Sequence, residues 1–202
     1  ARALPDDVRY PIAALLARFL LETADRDGLR RAYTLREGSA AALSGALRRP
    51  EADAEAAFRG WLDRRVAARA TDVAYEKARQ EAHERFLAAD WAGTVEALRR
   101  ATALRPDDPQ ALYDLAGAEM RAGEYDRAES DLRRVIEIAA AGKATHLAVF
   151  GTFQLGRLLD VRGRREEALA EYRKVLEMPD VQDSRRLAAE AIETPATKES
   201  LE

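Results

Sequence analysis

The stretch Leu112–Ile138, LYDLAGAEMRAGEYDRAESDLRRVIEI, decides how this chain folds. Apolar residues recur at helical spacing from Leu112 to Arg121, a tight turn falls at Gly123, and a second striped helix runs from Tyr125 to Ile138. Small residues (Ala116, Ala118, Ala128) sit where two helices press together. Leu112, Leu115, Tyr125, Leu132, Val135 and Ile138 fill the rest of the seam. An antiparallel helix pair of this kind cannot bury both of its faces alone, so it demands neighbours of the same kind.

The chain supplies them. Before the stretch lie VAYEKARQEAHERFLAA, a turn at Asp90–Gly93, and VEALRRATAL ahead of Pro106. After it come FGTFQLGRLLDVRG and RREEALAEYRKVLEM, ending at Pro179. The units start near Tyr75, Pro109 and Val149, giving repeats at about 75–108, 109–142 and 149–182, with extra residues around Gly142–Ala148. Glycines 93, 123 and 163 read as turns between paired helices. Residues 183–193, DSRRLAAEAIE, read as a capping helix with Asp183 as its N-cap. The polar stretch 194–202 is expected to be disordered.

This 34-residue helix-turn-helix period resembles the tetratricopeptide repeat. Leu115, Ala116, Tyr125, Ala128 and Leu132 match in the second unit, and Leu155, Gly156, Leu159, Ala168 and Tyr172 in the third. The first is weaker: Ala82, Trp91, Thr94, Leu98, Ala101 and Pro106 fit, but Glu81 and Arg85 replace the usual Leu and Tyr. The expected fold class is therefore all-α: a helical-repeat solenoid with an N-terminal helical segment and a C-terminal capping helix. No sustained alternation suggests a strand.

Residues 1–70 read as several short helices. Pro11 suits the first turn of one, Asp25 or Asp27 opens another that stops near Gly38, Ser39 caps a third, and Asp53 caps a fourth. Asp72 then caps a separate long helix. The spacing of Tyr10, Phe19, Leu20, Leu29, Leu43, Leu47, Phe58, Trp61 and Leu62 resembles the helical tail of gluzincin-type (peptidase MA-like) metallopeptidase domains. That resemblance implies an alternative: the non-catalytic C-terminal part of a zinc peptidase whose active site lies upstream of Ala1. Zinc hydrolysis needs H-E-x-x-H, and His83 and His146 stand in no such context. The opening at Ala1 without Met and the Leu-Glu ending, typical of a cloning scar, suggest a piece of a longer protein with Leu201 and Glu202 non-native.

Composition narrows the function classes. There is no cysteine, which removes disulfides, thiolate metal sites and Cys nucleophiles. With 33 Lys+Arg against 36 Asp+Glu, the net charge of -3 gives no support to a nucleic-acid partner. No apolar run has the length of a membrane span. The serines have no base nearby, no Gly-rich phosphate loop is present, and no metal or other cofactor is implied. The reading is a non-catalytic module with a protein or peptide partner, self-association being a further possibility.

The tetratricopeptide resemblance implies that the first helix of each pair lines a concave groove for a peptide or a partner helix. Its inward positions here are Glu76, Arg79, His83 and Phe86, then Gln110, Tyr113, Gly117 and Met120, then Phe150, Phe153, Arg157 and Asp160. The expected partner-binding residues are Arg79, His83, Phe86, Tyr113, Met120, Phe150, Phe153 and Arg157. Arg79 and Arg157 are the candidates for a carboxylate, and Tyr113, Phe150 and Phe153 for rigid anchors. Phe150 and Phe153 have a competing role in packing against the helix connection. Chaperone-tail clamps of this family use Asn and Lys at inward positions. This chain has no Asn, and its four Lys fall elsewhere, so that use is not expected.

Overall fold

The computed structural model describes residues 6–25, 27–28, 30, 39–142 and 144–201. The chain divides into two compact units, 1–70 and 71–202. Among the described residues the regular structure is entirely helical. In order come α1 (Asp6–Thr23), α2 (Ser39–Leu47), α3 (Glu51–Leu87), α4 (Trp91–Leu104), α5 (Pro109–Ala122), α6 (Tyr125–Ala141), α7 (Thr145–Val161), α8 (Arg165–Glu177) and α9 (Ser184–Glu193). The helix expected between Asp25 and Gly38 falls largely outside the described residues, as do Leu29 and the side chain of Tyr10.

The first unit is built around Phe19, Leu20, Leu43, Ala46, Ala54 and Trp61. The Phe19 ring meets Phe58 edge-on at 5.3 Å and lies 5.5 Å from Trp61. The indole N–H of Trp61 donates to Glu22 at 2.8 Å, satisfying the polar end of a buried aromatic.

One expectation here fails. Asp53 and Asp72 do not open two helices, because Glu51–Leu87 is continuous. A capping residue ends nothing unless a breaker precedes it, and between Trp61 and Leu87 there is neither Gly nor Pro. Asp72 instead accepts from Arg105 at 2.7 Å. Helix α1 likewise starts one turn ahead of Pro11.

In the second unit each helix packs against the next, α4 on α5 through to α8 on α9. The small residues hold the register. Ala116, Ala128 and Ala168 are fully buried, and Leu132, Leu155, Leu158, Leu159, Tyr172 and Val175 close around them. The turns follow local chemistry. Asp108 accepts from the N–H groups of Gln110 and Ala111, Pro109 takes the first helical position, and α5 ends on left-handed Gly123 (φ 78°). After α7 the left-handed residue is Gly163 (φ 74°), one place beyond the cap Arg162.

The first pair differs. Gly93 lies inside α4, and left-handed Ala89 (φ 54°) makes the turn. Asp90 fixes that turn by accepting from Gly93 N–H at 3.0 Å. The extra residues before the third pair are absorbed by helix: α6 runs on to Ala141 and α7 begins at Thr145. Leu147 and Ala148 bury there beside Leu112, Val135 and Ala139.

The C-terminal expectations change too. Asp183 is itself left-handed and makes no side-chain cap. Asp180 does the work, accepting from the Ser184 hydroxyl and the Arg185 N–H, each at 3.2 Å. Over its described part the tail lies against the repeats. Ala196 N–H donates to the Asp160 carboxylate at 3.1 Å, Arg157 donates to the Ser200 carbonyl, and Leu201 is buried. The physical cause is Asp160, a carboxylate with a fully buried side chain that needs donors from every side.

Gly156 and Gly117 should respond oppositely to the same change. A Cβ on Gly156 would lie 2.5 Å from the buried Tyr172 ring, so Gly156→Ala is expected to cost about 1–3 kcal/mol. A Cβ on Gly117 meets nothing closer than Arg121 at 3.8 Å, so Gly117→Ala should stabilise by about 0.5–1 kcal/mol. Thermal melts of the two variants check both signs.

Candidate functional site

The first helices of the three pairs are the C-terminal half of α3, then α5 and α7. Together they frame a concavity of about 380 Å³. Arg79, His83 and Phe86 enter it from α3, and Tyr113, Gly117 and Met120 from α5. Five of the expected contacts (Arg79, His83, Phe86, Tyr113 and Met120) thus meet on one wall with Gly117 as its open floor. Met120 is 4% exposed and serves the core as much as the concavity. Phe86, at 43% exposed, is available to a ligand.

The third helix behaves differently. Only Gln154 of α7 lines the concavity. Phe153 packs 5.8 Å from the Tyr172 ring and belongs with the core. Phe150 is half-buried outside the concavity. Arg157 sits next to Gln154 and donates to it at 3.1 Å. Asp160, an inward position by spacing, is closed to ligands: Arg165 at 2.9 Å, Tyr172 at 2.9 Å and Ala196 at 3.1 Å hold it.

Three contributors with charged or amide side chains escaped the reading by spacing: Asp114, Arg121 and Gln154. Each stands one helical turn after an inward position (Gln110, Gly117 and Phe150), so the inward face is wider than four points per helix. That i+4 extension was the available signal.

Asp114 changes the electrostatics. Arg79 donates to it at 3.1 Å and Gln110 at 2.8 Å. Burial pushes the Asp114 carboxyl up, with Gln110 and Arg79 opposing. Arg79, expected to be open for a ligand carboxylate, therefore already holds one from the neighbouring helix.

Arg121 lies over the Phe86 and Trp91 rings, at 5.7 Å and 5.5 Å from their centroids. It donates to the Gly117 carbonyl at 3.1 Å. Burial pushes the Tyr113 hydroxyl up, with Gln154 as its hydrogen-bond partner. The wall is thus aromatic and cationic, with Asp114 its one carboxylate among the described lining residues.

Residues 85–146 match the family model of the tetratricopeptide repeat. The helix pairs within that span are of the tetratricopeptide type. No curated relative matches the chain. The match covers the end of α3, the whole of the pairs' shared turn-and-helix framework through α6, and the start of α7. Tetratricopeptide repeats are in general protein-interaction modules and generally non-catalytic. Among the described residues no helix is long and apolar enough to cross a membrane.

The repeats also carry a titrating group away from the concavity. Glu119 of α5 is 1% exposed. One carboxyl oxygen accepts from Arg99 at 2.8 Å, while burial pushes its pKa up to about 7. Asp131, on α6, is pushed up as well, by burial first. Glu119 in the folded chain therefore binds its proton more tightly than in the unfolded chain, where its pKa is near 4.5. Stability should fall as pH rises from about 4.5 to about 7. Glu119→Gln is expected to flatten that slope, measured as denaturation midpoints at pH 5 and pH 8.

Proposed function

We propose that the concavity of the tetratricopeptide repeats binds an extended peptide segment of a partner protein. The observation that carries this is the wall itself. Phe86, Tyr113 and Arg121 crowd round an open floor at Gly117, and the exposed part of Phe86 does nothing for the fold. Rigid aromatics with a nearby guanidinium are the groups that supply most binding energy at protein interfaces. Short side chains of a peptide fit a space of this size, whereas a bulky folded surface would reach only its rim.

The alternative of a peptidase tail has no comparable support. The Phe19, Phe58 and Trp61 cluster is apolar packing and carries no chemistry of its own.

A plug at Gly117 tests the reading. Gly117→Leu projects into the floor of the concavity, where a Cβ would meet nothing closer than the flexible end of Arg121 at 3.8 Å. Nonapeptides selected on the full chain from a displayed library should lose at least about tenfold in affinity to this variant, roughly 1.4 kcal/mol. The variant should melt at or above the parent temperature. Unchanged peptide affinity in the folded variant would place binding elsewhere. Phe86→Ala is expected to weaken the same peptides by about 1–2 kcal/mol, read by fluorescence polarisation.

A further inference from the structure

Two arginines at the concavity hold no carboxylate among the described residues: Arg121 in its lining and Arg157 just outside it, bonded to the lining residue Gln154. Arg79, Arg99, Arg162, Arg164 and Arg165 each hold a carboxylate. Arg121 and Arg157 do not: their described hydrogen bonds go to the Gly117 carbonyl, the Gln154 amide oxygen and the Ser200 carbonyl. In addition, the Nε of Arg121 is buried with no partner among the described residues.

Arg157 donates to Gln154, which lines the same concavity as Arg121. Burial pushes the Arg157 guanidinium down, and the positive charge of Arg121 pushes it further. Tyr113 lies within the field of both. Desolvating two like charges side by side is unfavourable unless an anion joins them. The side chains are nevertheless held in place, Arg121 against Phe86 and Trp91, and Arg157 by Gln154. Arg157 also shows that an acceptor oxygen can reach it, since the Ser200 carbonyl does so.

We propose that Arg121 and Arg157 form an anion subsite of the groove, and that the partner's peptide carries an internal Glu or Asp side chain that binds between them. This rests on the peptide-groove reading and gives that peptide its chemistry: a carboxylate beside an apolar residue, the latter facing Phe86 and Met120. A carboxylate bonded to guanidinium donors gains a charge-assisted bond and relieves the repulsion. A polyanion such as a nucleic acid is disfavoured, because Asp114 shares the wall and the chain is net -3. Sequence spacing assigned the carboxylate role to Arg79 and Arg157. The structure pairs Arg79 internally and brings Arg121 in its place.

The test uses the full chain and an array of acetylated, amidated nonapeptides. Each carries one Glu next to Leu or Phe, and each has a Glu→Gln twin and a twin with a free C-terminal carboxylate. Binders are expected to lose at least tenfold on Glu→Gln, and to lose that preference in Arg121→Gln and in Arg157→Gln. Arg157→Lys should retain part of it, and the preference should shrink as salt is raised. Circular dichroism and melting temperature confirm that each variant is folded.

Peptides that bind, are blocked by Gly117→Leu, and show no Glu preference would overturn the anion subsite while leaving the groove standing. So would a Glu preference that survives both arginine substitutions, or a gain that follows the free C-terminus alone. If no array member binds, the groove reading falls and the subsite with it.

Discussion

The approach of Tyr172 to the backbone of α7 is the constraint on which the repeat region depends. Gly156 has no Cβ, so the ring lies where a methyl group would otherwise be, 2.5 Å from that position. From there the Tyr172 hydroxyl reaches Asp160 at 2.9 Å, and Asp160 gathers Arg165 and the N–H of Ala196. One missing side chain thus sets the spacing of a helix pair, the burial of a carboxylate and the path of the C-terminal segment. The same device, with alanines at 116 and 128, brings α5 and α6 together. Close-packed interiors transmit such constraints because they have no slack to absorb them.

The concave wall is what remains after these demands are met. Side chains that the core needs, such as Phe153 and Asp160, turn inward or become locked. Side chains that it does not need, such as Phe86 and Arg121, stay in the concavity. Arg79 and Asp114 belong to neither group: they tie α3 to α5 and fix the shape of the wall. A binding surface in a helical repeat is therefore selected by subtraction, since every first helix must serve two neighbours before it can serve a ligand.

Much of the fold was legible from periodicity. The three pairs, their small interlocking residues and the capping helix all appear in the sequence as spacing of apolar side chains, which responds directly to helical geometry. The boundaries were less legible. Asp72 and Asp183 look like N-caps because their residue type favours caps, but type is no guide where the helix has no reason to stop or where a neighbour caps better. The contact of the tail with the repeats was not legible, because its polar composition says nothing about a buried acceptor at Asp160. At the concavity, Arg79, His83, Phe86, Tyr113 and Met120 were placed together by spacing, while Phe150, Phe153 and Arg157 lie outside its lining.

By itself the sequence determined the class: an all-helical chain of stacked pairs without thiol chemistry, because helical period and composition are local properties. Only the tertiary structure decided which groups are free to act. Whether Arg79 or Arg121 can meet a ligand depends on Asp114 of α5 lying beside one and not the other. That distinction is a matter of distance between helices, and pairwise distances across a fold are not written in the spacing along any one of them.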